Sequence, residues 1–477
     1  MKIGHMVPSL ADCTGGVKNY EDRLDNLHLR AQNLADLPTQ GGPATVTHAA
    51  SSAKEAPMSD AASHPESSRQ DPSRRRFLQG GVALGTALVA GAGRPLAAQA
   101  QSAPDDPSKV LGAPFRPYGE RSRFEQIDRE KSPVSKTDEW GGNFTPLDET
   151  LGIITPSALH YVVQRGGTPD IDPAKHRLLI HGLVDRPAIL TMEEIRRLPS
   201  TSRILFLECQ GNSLTEWRGP VGKTVRATHG QTSCSEWTGV PLSLLLREAG
   251  VQQGATWVVA EGADATGNER SIPVAKAMDD ALVAYGQNGE AIRPENGYPL
   301  RLIVPGWTGN INVKWLRRIK VVDQPYLTRM DGVGQPTLMP DGKARQLQFV
   351  LEAKSVVTFP SGGQWLPGPG LYEISGLAWS GRGLVRRVEV STDSGQTWRD
   401  ARLQEPVLPL AHTRFRLDWP WDGREAVLQS RCTDETGYVQ PTLAELVRVR
   451  GLNSIYFNNA IQSWKVATDG SVHNVHT

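Results

Sequence analysis

The sequence predicts an α+β chain with two folded parts: a mixed α+β domain at 152–335 and an all-β, immunoglobulin-like sandwich at 340–450. Three observations carry that expectation. Between Gly152 and about Pro325, short apolar runs bounded by Gly or Pro mix with helix-start signals, without the regular strand–helix alternation of a doubly wound sheet. After Met339 the texture changes to short strands separated by Gly, Asp and Ser turns. Before Gly152 the chain is polar and irregular.

Residues 1–100 read as an export region rather than a domain. A stretch rich in Ser, Ala and Pro (49–73) precedes Ser73-Arg74-Arg75-Arg76-Phe77-Leu78-Gln79, a mildly apolar segment at 80–93, and the small-residue site Ala98-Gln99-Ala100. A basic segment, a short apolar one and an A-x-A site form an export signal, and the paired arginines at 73–79 make it the twin-arginine type. A periplasmic location follows as an expectation. The apolar segment is Gly-rich and too short to span a bilayer stably, so no membrane span is expected. Twin-arginine export carries folded proteins, which favours a cofactor inserted beforehand. Met58, followed by Ser59-Asp60, is a candidate true start. Residues 101–151 are expected to form an N-terminal arm wrapping the body.

Within 152–335, Leu178-Leu179-Ile180-His181-Gly182 reads as a strand running into a turn. Thr191, followed by Glu193 and Glu194, reads as the cap and acidic first turn of a helix. Residues 241–249, with Leu242, Leu244, Leu245 and Leu246, form an amphipathic helix stopped by Gly250. Trp257-Val258-Val259-Ala260 and residues 300–304 read as buried strands. The domain boundary is placed in the Gly-, Pro- and Asp-rich stretch 330–343. Sandwich strands are expected at 371–379, 385–390, 415–419 and 426–431, with Thr392-Asp393-Ser394-Gly395 as a turn, and residues 451–477 as a C-terminal tail.

Charge excludes some partners. The 477 residues carry 52 Lys+Arg against 51 Asp+Glu, a net charge of +1, so nothing argues for nucleic acid or an anionic membrane surface. Four cysteines are too few for a disulfide scaffold. With Cys13 in the export region, Cys209, Cys234 and Cys432 remain, an odd number that leaves at least one unpaired. No C-x-x-C-H haem attachment motif and no His-Pro-Gly-Gly occurs.

The most informative residue is Cys209. It closes Ile204-Leu205-Phe206-Leu207-Glu208-Cys209-Gln210-Gly211-Asn212-Ser213, an apolar strand delivering one thiol to a small polar loop. Two readings stand at this point: a thiolate ligand for a soft or high-valent redox metal, or a buried structural cysteine packing as a small hydrophobe.

The segment 203–212 resembles the signature of the sulfite oxidase family, and further segments resemble it at the family's spacings. These are Glu236-Trp237-Thr238-Gly239-Val240-Pro241-Leu242, Glu261-Gly262-Ala263-Asp264 and Ser271-Ile272-Pro273. They continue with Ala284-Tyr285-Gly286-Gln287-Asn288-Gly289-Glu290, then Glu295-Asn296-Gly297-Tyr298-Pro299-Leu300-Arg301, and end with Asn312-Val313-Lys314-Trp315-Leu316. The resemblance covers about 152–322, and the β-rich C-terminal part resembles the family's dimerisation domain. It implies a molybdenum–molybdopterin cofactor with Cys209 as the protein's metal ligand. The pterin ends in a phosphate and carries a hydrogen-bonding heterocycle, so its site needs cations and well-placed polar partners. Arg301 can fork onto phosphate and Lys314 adds a point charge. Asp264 can accept from ring N–H groups, and Asn296, where animal members carry His, offers both donor and acceptor. Gln164, Arg165, Asn312 and Val313 complete the implied cofactor contacts, the last two partly through backbone.

The departures from the family pattern concern the substrate. In the segment His160-Tyr161-Val162-Val163-Gln164-Arg165, the position of one catalytic arginine falls on Val163, and Arg165 replaces a cofactor-contacting His. Ser213 and Leu214 follow the signature where sulfite-oxidising members carry an arginine, and no tyrosine occurs between Tyr326 and Tyr372. Arg165 and Arg382 are the remaining candidate anion-binding arginines. A pocket with fewer cations binds the sulfite dianion less well. Thr228-His229-Gly230 and Ser233-Cys234-Ser235-Glu236 resemble the branch that oxidises sulfane sulfur on a carrier protein. That resemblance implies His229 near the site, with a hydrogen-bonded structural histidine as the equal alternative, while Cys234 reads better as a packed small hydrophobe. The implied partners are a c-type cytochrome acceptor and a sulfur-carrier protein, in a homodimer or a heterotetramer with the cytochrome. Two alternatives stay open: an exported reductase of sulfoxide-type substrates, and a binding protein without cofactor.

Overall fold

The structure, a computed structural model, describes residues 111–133, 135–328, 331 and 336–477. The motif at 73–79, the site at 98–100, Met58 and Cys13 lie outside the described residues.

Three strands, β1 (Glu130–Lys131), β2 (Gly141–Phe144) and β3 (Val162–Gln164), form a small antiparallel sheet at the edge of the first domain. The arm expected to be irregular therefore supplies two strands, because β2 pairs with β3 across Gly142↔Val163. The next elements are β4 (Arg177–Gly182), β5 (Ala188–Thr191), α1 (Met192–Arg197), β6 (Thr201–Glu208), α2 (Val225–His229), β7 (Thr232–Pro241) and α3 (Leu242–Ala249). After them come β8 (Trp257–Gly262), β9 (Glu269–Pro273), α4 (Val274–Asp279), β10 (Leu282–Gln287), β11 (Glu290–Ala291), β12 (Arg301–Ile303) and β13 (Leu316–Val322). They build two five-stranded sheets: β5-β4-β13-β8-β9, in which β4 and β13 run parallel, and β11-β10-β7-β6 with β12 on β10.

The helix ends follow the sequence signals. Thr191 and Glu194 close a capping box on α1. Gly250, at φ 72°, ends α3 in the left-handed conformation that Gly tolerates. The α3 stripe Leu242, Leu245 and Leu246 is buried in the first domain's core, each leucine worth roughly 1.5–3 kcal/mol of burial.

A hairpin of β14 (Thr337–Leu338) and β15 (Ala344–Arg345) leads to the sandwich. Its strands are β16 (Lys354–Phe359), β17 (Gly370–Trp379), β18 (Val385–Ser391), β19 (Arg399–Asp400), β20 (Arg402–Leu403), β21 (Thr413–Trp421) and β22 (Ala426–Asp434). Helix α5 (Leu443–Arg450) and strands β23 (Ser463–Val466) and β24 (Val472–Val475) follow. The sheets are β16-β17-β21-β20 and β19-β18-β22-β23-β24. Residues 451–477, expected as a tail, instead complete the second sheet: Trp464 is fully buried and pairs with Leu428. Their short strands lack a long apolar run, so the sequence pattern underweights them.

β6 ties the two parts together. Side chains alternate across a strand. Leu205 and Leu207 enter the first domain's core beside Cys209, whereas Phe206 packs into the sandwich's core with Trp379 and Cys234. Burial on both faces is why this strand reads as an uninterrupted apolar run. Cys209, Cys234 and Cys432 are all free, and Cys234 and Cys432 are buried. No described helix is long and apolar enough to cross a membrane.

Candidate metal centre

β6 ends at Glu208, and the alternation of its side chains decides what happens next. Cys209 follows Leu205 and Leu207 toward the first domain, while Glu208 follows Phe206 toward the sandwich. The turn after β6 is closed by Asn212 N–H donating to the Cys209 carbonyl (2.9 Å), and Cys209 N–H donates to the Gln231 carbonyl (2.9 Å). The thiol is half-buried and receives the Gly211 N–H at 3.5 Å. Burial raises the Cys209 pKa and Glu208 adds to that, while the Gly211 N–H, Arg165 and Lys354 act the other way. The free thiol is thus protonated at neutral pH, and a metal must displace its proton.

Across Tyr161, which feels both Cys209 and Arg301, lies a cradle of two cations, Arg301 and Lys314, the latter attracted by Asp264 and Glu295. Arg301, nearly buried, gives Nε to the Asn312 carbonyl (3.3 Å) and Nη1 to the Asn296 carbonyl (2.9 Å), and sits over the Trp237 ring at 5.2 Å. Lys314 gives Nζ to the Glu295 carbonyl (2.9 Å). Neither forms an ion pair with a described carboxylate. Burial pushes Arg301 down to about 10. Burial and then the Arg301 charge push Lys314 down to about 7. Gly297, at φ 117°, lies between them: a Cβ there would meet Lys314 at 3.1 Å and Arg301 at 3.3 Å.

Three buried polar atoms around the cradle have no protein partner: His160 Nε2, Trp237 Nε1 and Asn296 Oδ1. His160 Nδ1 lies 2.8 Å from the Tyr161 carbonyl, so it carries the proton and Nε2 presents a bare lone pair. Burial, then Arg301, hold this imidazole well below its usual pKa. One unpartnered N–H donor, two unpartnered acceptors and two cations without an ion-pair partner fit a phosphate-bearing, hydrogen-bonding heterocycle. Molybdopterin has that chemistry, and the donor set fits it.

The other predicted residues divide. Asn296 lies inside the cluster, its Nδ2 bonded to the Ser157 carbonyl and Gln287 Oε1. Asn312 is buried, but its side chain pins the turn after β12, Oδ1 accepting Val304 N–H (2.6 Å) and Nδ2 donating to the Thr308 carbonyl (3.0 Å). Only its carbonyl faces Arg301. Val313 is wholly in the core. Asp264 stands close enough to raise Lys314, yet it also caps its own turn, accepting from Asn268 N–H and Thr266. Gln164 is bonded to Thr168 and the Asp138 carbonyl at the edge of β3. Arg165 is exposed at the mouth, within electrostatic reach of Cys209. Arg382 pairs with Glu352 at 3.2 Å, and Glu352 lines the small cavity that Cys209 also lines. His229 is buried, with Nδ1 2.9 Å from Thr228 Oγ1.

Besides His160 and Trp237, two further residues escaped the sequence reading. Arg270, on β9, is buried, donates to the Asn310 carbonyl (3.2 Å), pairs with Asp331 (3.3 Å) and feels the charges of Arg165 and Cys209. Tyr456 comes from the C-terminal segment. Its ring lies 3.6 Å from where a Cβ at Gly211 would stand, and burial, then Cys209, raise its pKa while Arg165 opposes. A phenol therefore reaches the thiol's turn although none occurs between Tyr326 and Tyr372. Arg270 abuts the Ser271-Ile272-Pro273 segment, which could have pointed to it, whereas Tyr456 sits in no local motif and sequence offered no signal for it.

Comparison with known proteins agrees with this geometry. Residues 165–330 match the oxidoreductase molybdopterin binding domain, and residues 345–464 match the Mo-co oxidoreductase dimerisation domain. The crystal structure of the sulfane dehydrogenase SoxCD from Paracoccus pantotrophus is similar at 43% identity and TM-score 0.77, covering 81% of this chain and 100% of that one. The nitrate reductase [NADH] of Volvox carteri is 32% identical over 68% of this chain and 42% of its own length. Nitrate reductase [NADH] 1 of Arabidopsis thaliana is 36% identical over 64% and 37%. The chain thus spans less than half the length of these curated relatives.

Proposed function

This chain belongs to the sulfite oxidase family of molybdopterin-binding oxidoreductases, and from that premise we propose that it is an exported dehydrogenase of reduced sulfur. Its substrate is carrier-bound sulfane sulfur or sulfite, and its electrons pass to a c-type cytochrome. The cofactor is molybdenum held by molybdopterin, which when bound supplies two-electron oxygen-atom transfer at sulfur. The chain's own residues do the rest. Cys209 gives up its proton and binds the metal. Arg301 and Lys314 hold the pterin's phosphate, while His160 Nε2, Asn296 and Trp237 meet its heterocycle. Arg165 at the mouth, Tyr456 against Gly211, and Arg382 behind Glu352 orient an anionic or polarised sulfur group.

The observation that carries the reading is a single thiol at the end of a buried strand, in one domain with two cations that lack an ion-pair partner among the described residues and three buried polar atoms that lack a hydrogen-bond partner. Two findings support sulfur over nitrate. The sulfane dehydrogenase likeness spans the whole of that solved chain, whereas the nitrate reductases share less than half their length. Export rests on the twin-arginine motif at 73–79, and a homodimer or a heterotetramer with the cytochrome rests on the dimerisation domain.

The test is steady-state cytochrome c reduction by the purified protein with free sulfite, with thiosulfate plus a sulfur-carrier protein, and with nitrate under reduced dye. Cytochrome reduction with a sulfur donor and no nitrate turnover is expected. Nitrate or sulfoxide reduction alone would make it a reductase, and less than about one molybdenum per ten chains would remove the enzyme reading altogether.

A further inference from the structure

We propose that the sandwich positions the metal ligand: Lys354 and Trp379, acting through Glu208, are positioning residues for Cys209. The proposal rests on the reading of Cys209 as ligand and adds a task for the second domain beyond dimerisation.

Three donors converge on the Glu208 carboxylate. Lys354 Nζ and Asn212 Nδ2 reach Oε1 at 3.0 and 2.9 Å, and Trp379 Nε1 reaches Oε2 at 2.7 Å. Lys354 also donates to the Asn212 carbonyl at 3.3 Å. Glu208, Asn212, Lys354 and Trp379 are all buried. Lys354 begins β16 and Trp379 ends β17, and the two face each other in the ladder. Asn212 passes the restraint on, because its Oδ1 accepts Gln231 N–H (3.1 Å) and the Gln231 carbonyl accepts Cys209 N–H. The sandwich's last connection grips the same turn. Phe457 N–H donates to the Gln210 carbonyl (2.8 Å), and Asn458 Nδ2 donates to the Ser213 carbonyl (3.1 Å).

Residues 208, 210, 212 and 213 are thus held by the second domain, which leaves Cys209 facing the first. A thiolate's bond direction depends on its backbone, and groups that orient a ligand tune the metal it binds. A buried carboxylate with three donors has one low-energy arrangement, so it fixes the turn rather than merely stabilising it.

The test compares Lys354→Met, Trp379→Phe, Glu208→Gln and the double variant Glu208→Gln/Lys354→Met, with Val388→Ala as a control that loosens the same core far from the turn. Two readouts are taken: Mo(V) electron paramagnetic resonance of the loaded protein, and hydrogen exchange of the Cys209 and Asn212 amides in metal-free protein. Lys354→Met is expected to shift the resonance g-values, lower kcat about tenfold with KM unchanged, and speed exchange of both amides more than tenfold. The double variant restores most of each, because it removes the unpaired buried charge. Trp379→Phe gives smaller shifts of the same sign, and it carries the test if Lys354→Met does not fold. Wild-type g-values and amide protection in Trp379→Phe and Glu208→Gln would overturn the proposal. A wild-type protein without molybdenum but with faster exchange in the variants would instead sink the metal reading and keep the positioning role.

Discussion

Two charge clusters lie on opposite sides of the strand that carries Cys209, and they differ in one respect. Behind the turn, Lys354 is neutralised by Glu208 at 3.0 Å, and both oxygens of the carboxylate are used. Across Tyr161 from the thiol, Arg301 and Lys314 form no ion pair with a described carboxylate, though Asp264 and Glu295 attract Lys314, and three neighbouring polar atoms have no partner. Burial costs both clusters the hydration of their charges. The closed cluster recovers it within the protein and is scaffold. The open one recovers it only from a ligand, which makes charge imbalance, rather than charge, the mark of a binding site.

That contrast can be broken in graded steps. Cys209→Ala leaves both clusters intact and removes the metal's protein ligand, so turnover should fall below detection in the cytochrome assay even where pterin is retained. Arg301→Met empties the open cluster of its strongest donor; pterin retention, measured by fluorescence after release, should weaken about 10–100-fold. Lys354→Met opens the closed cluster and leaves Glu208 buried and unpaired. It should cost roughly 3–5 kcal/mol of stability in urea unfolding, most of it recovered in the double variant with Glu208→Gln.

The smallest effect concerns metal-free protein. Lys314 sits below the usual lysine range when folded, so its burial penalty is fully present below pH 7 and fades as pH rises toward the unfolded value. Sulfate, which supplies the missing anion, should therefore raise Tm by a few degrees at pH 6 and much less at pH 10. Lys314→Met should remove most of the pH dependence of that gain between pH 6 and pH 8, where Arg301 keeps its charge.

The open cluster was legible in the sequence, the closed one was not. Arg301, Asn296 and Lys314 fall in one stretch of chain with distinctive turns around them, so local pattern alone is enough to group them. Glu208 is visible beside Cys209, but Lys354 and Trp379 lie 146 and 171 residues away in strands whose sequence marks them only as sandwich. Tyr456 is hidden for the same reason. Asn312 divides its groups: the side chain is consumed by its own turn, and the carbonyl, the backbone contribution expected of it, accepts from Arg301. Capping and helix-stop signals at Thr191 and Gly250 read correctly because they act over a few residues.

The return of the last residues to the thiol's turn sets an order of events. Phe457 and Asn458 grip that turn from a connection that leads into β23 and β24, so the ligand's surroundings close only once residues 457 and 458 have been made and have folded back onto it. A chain cut before residue 457 would keep Cys209 at the end of its strand but lose both grips on its turn, leaving an unfinished receptacle.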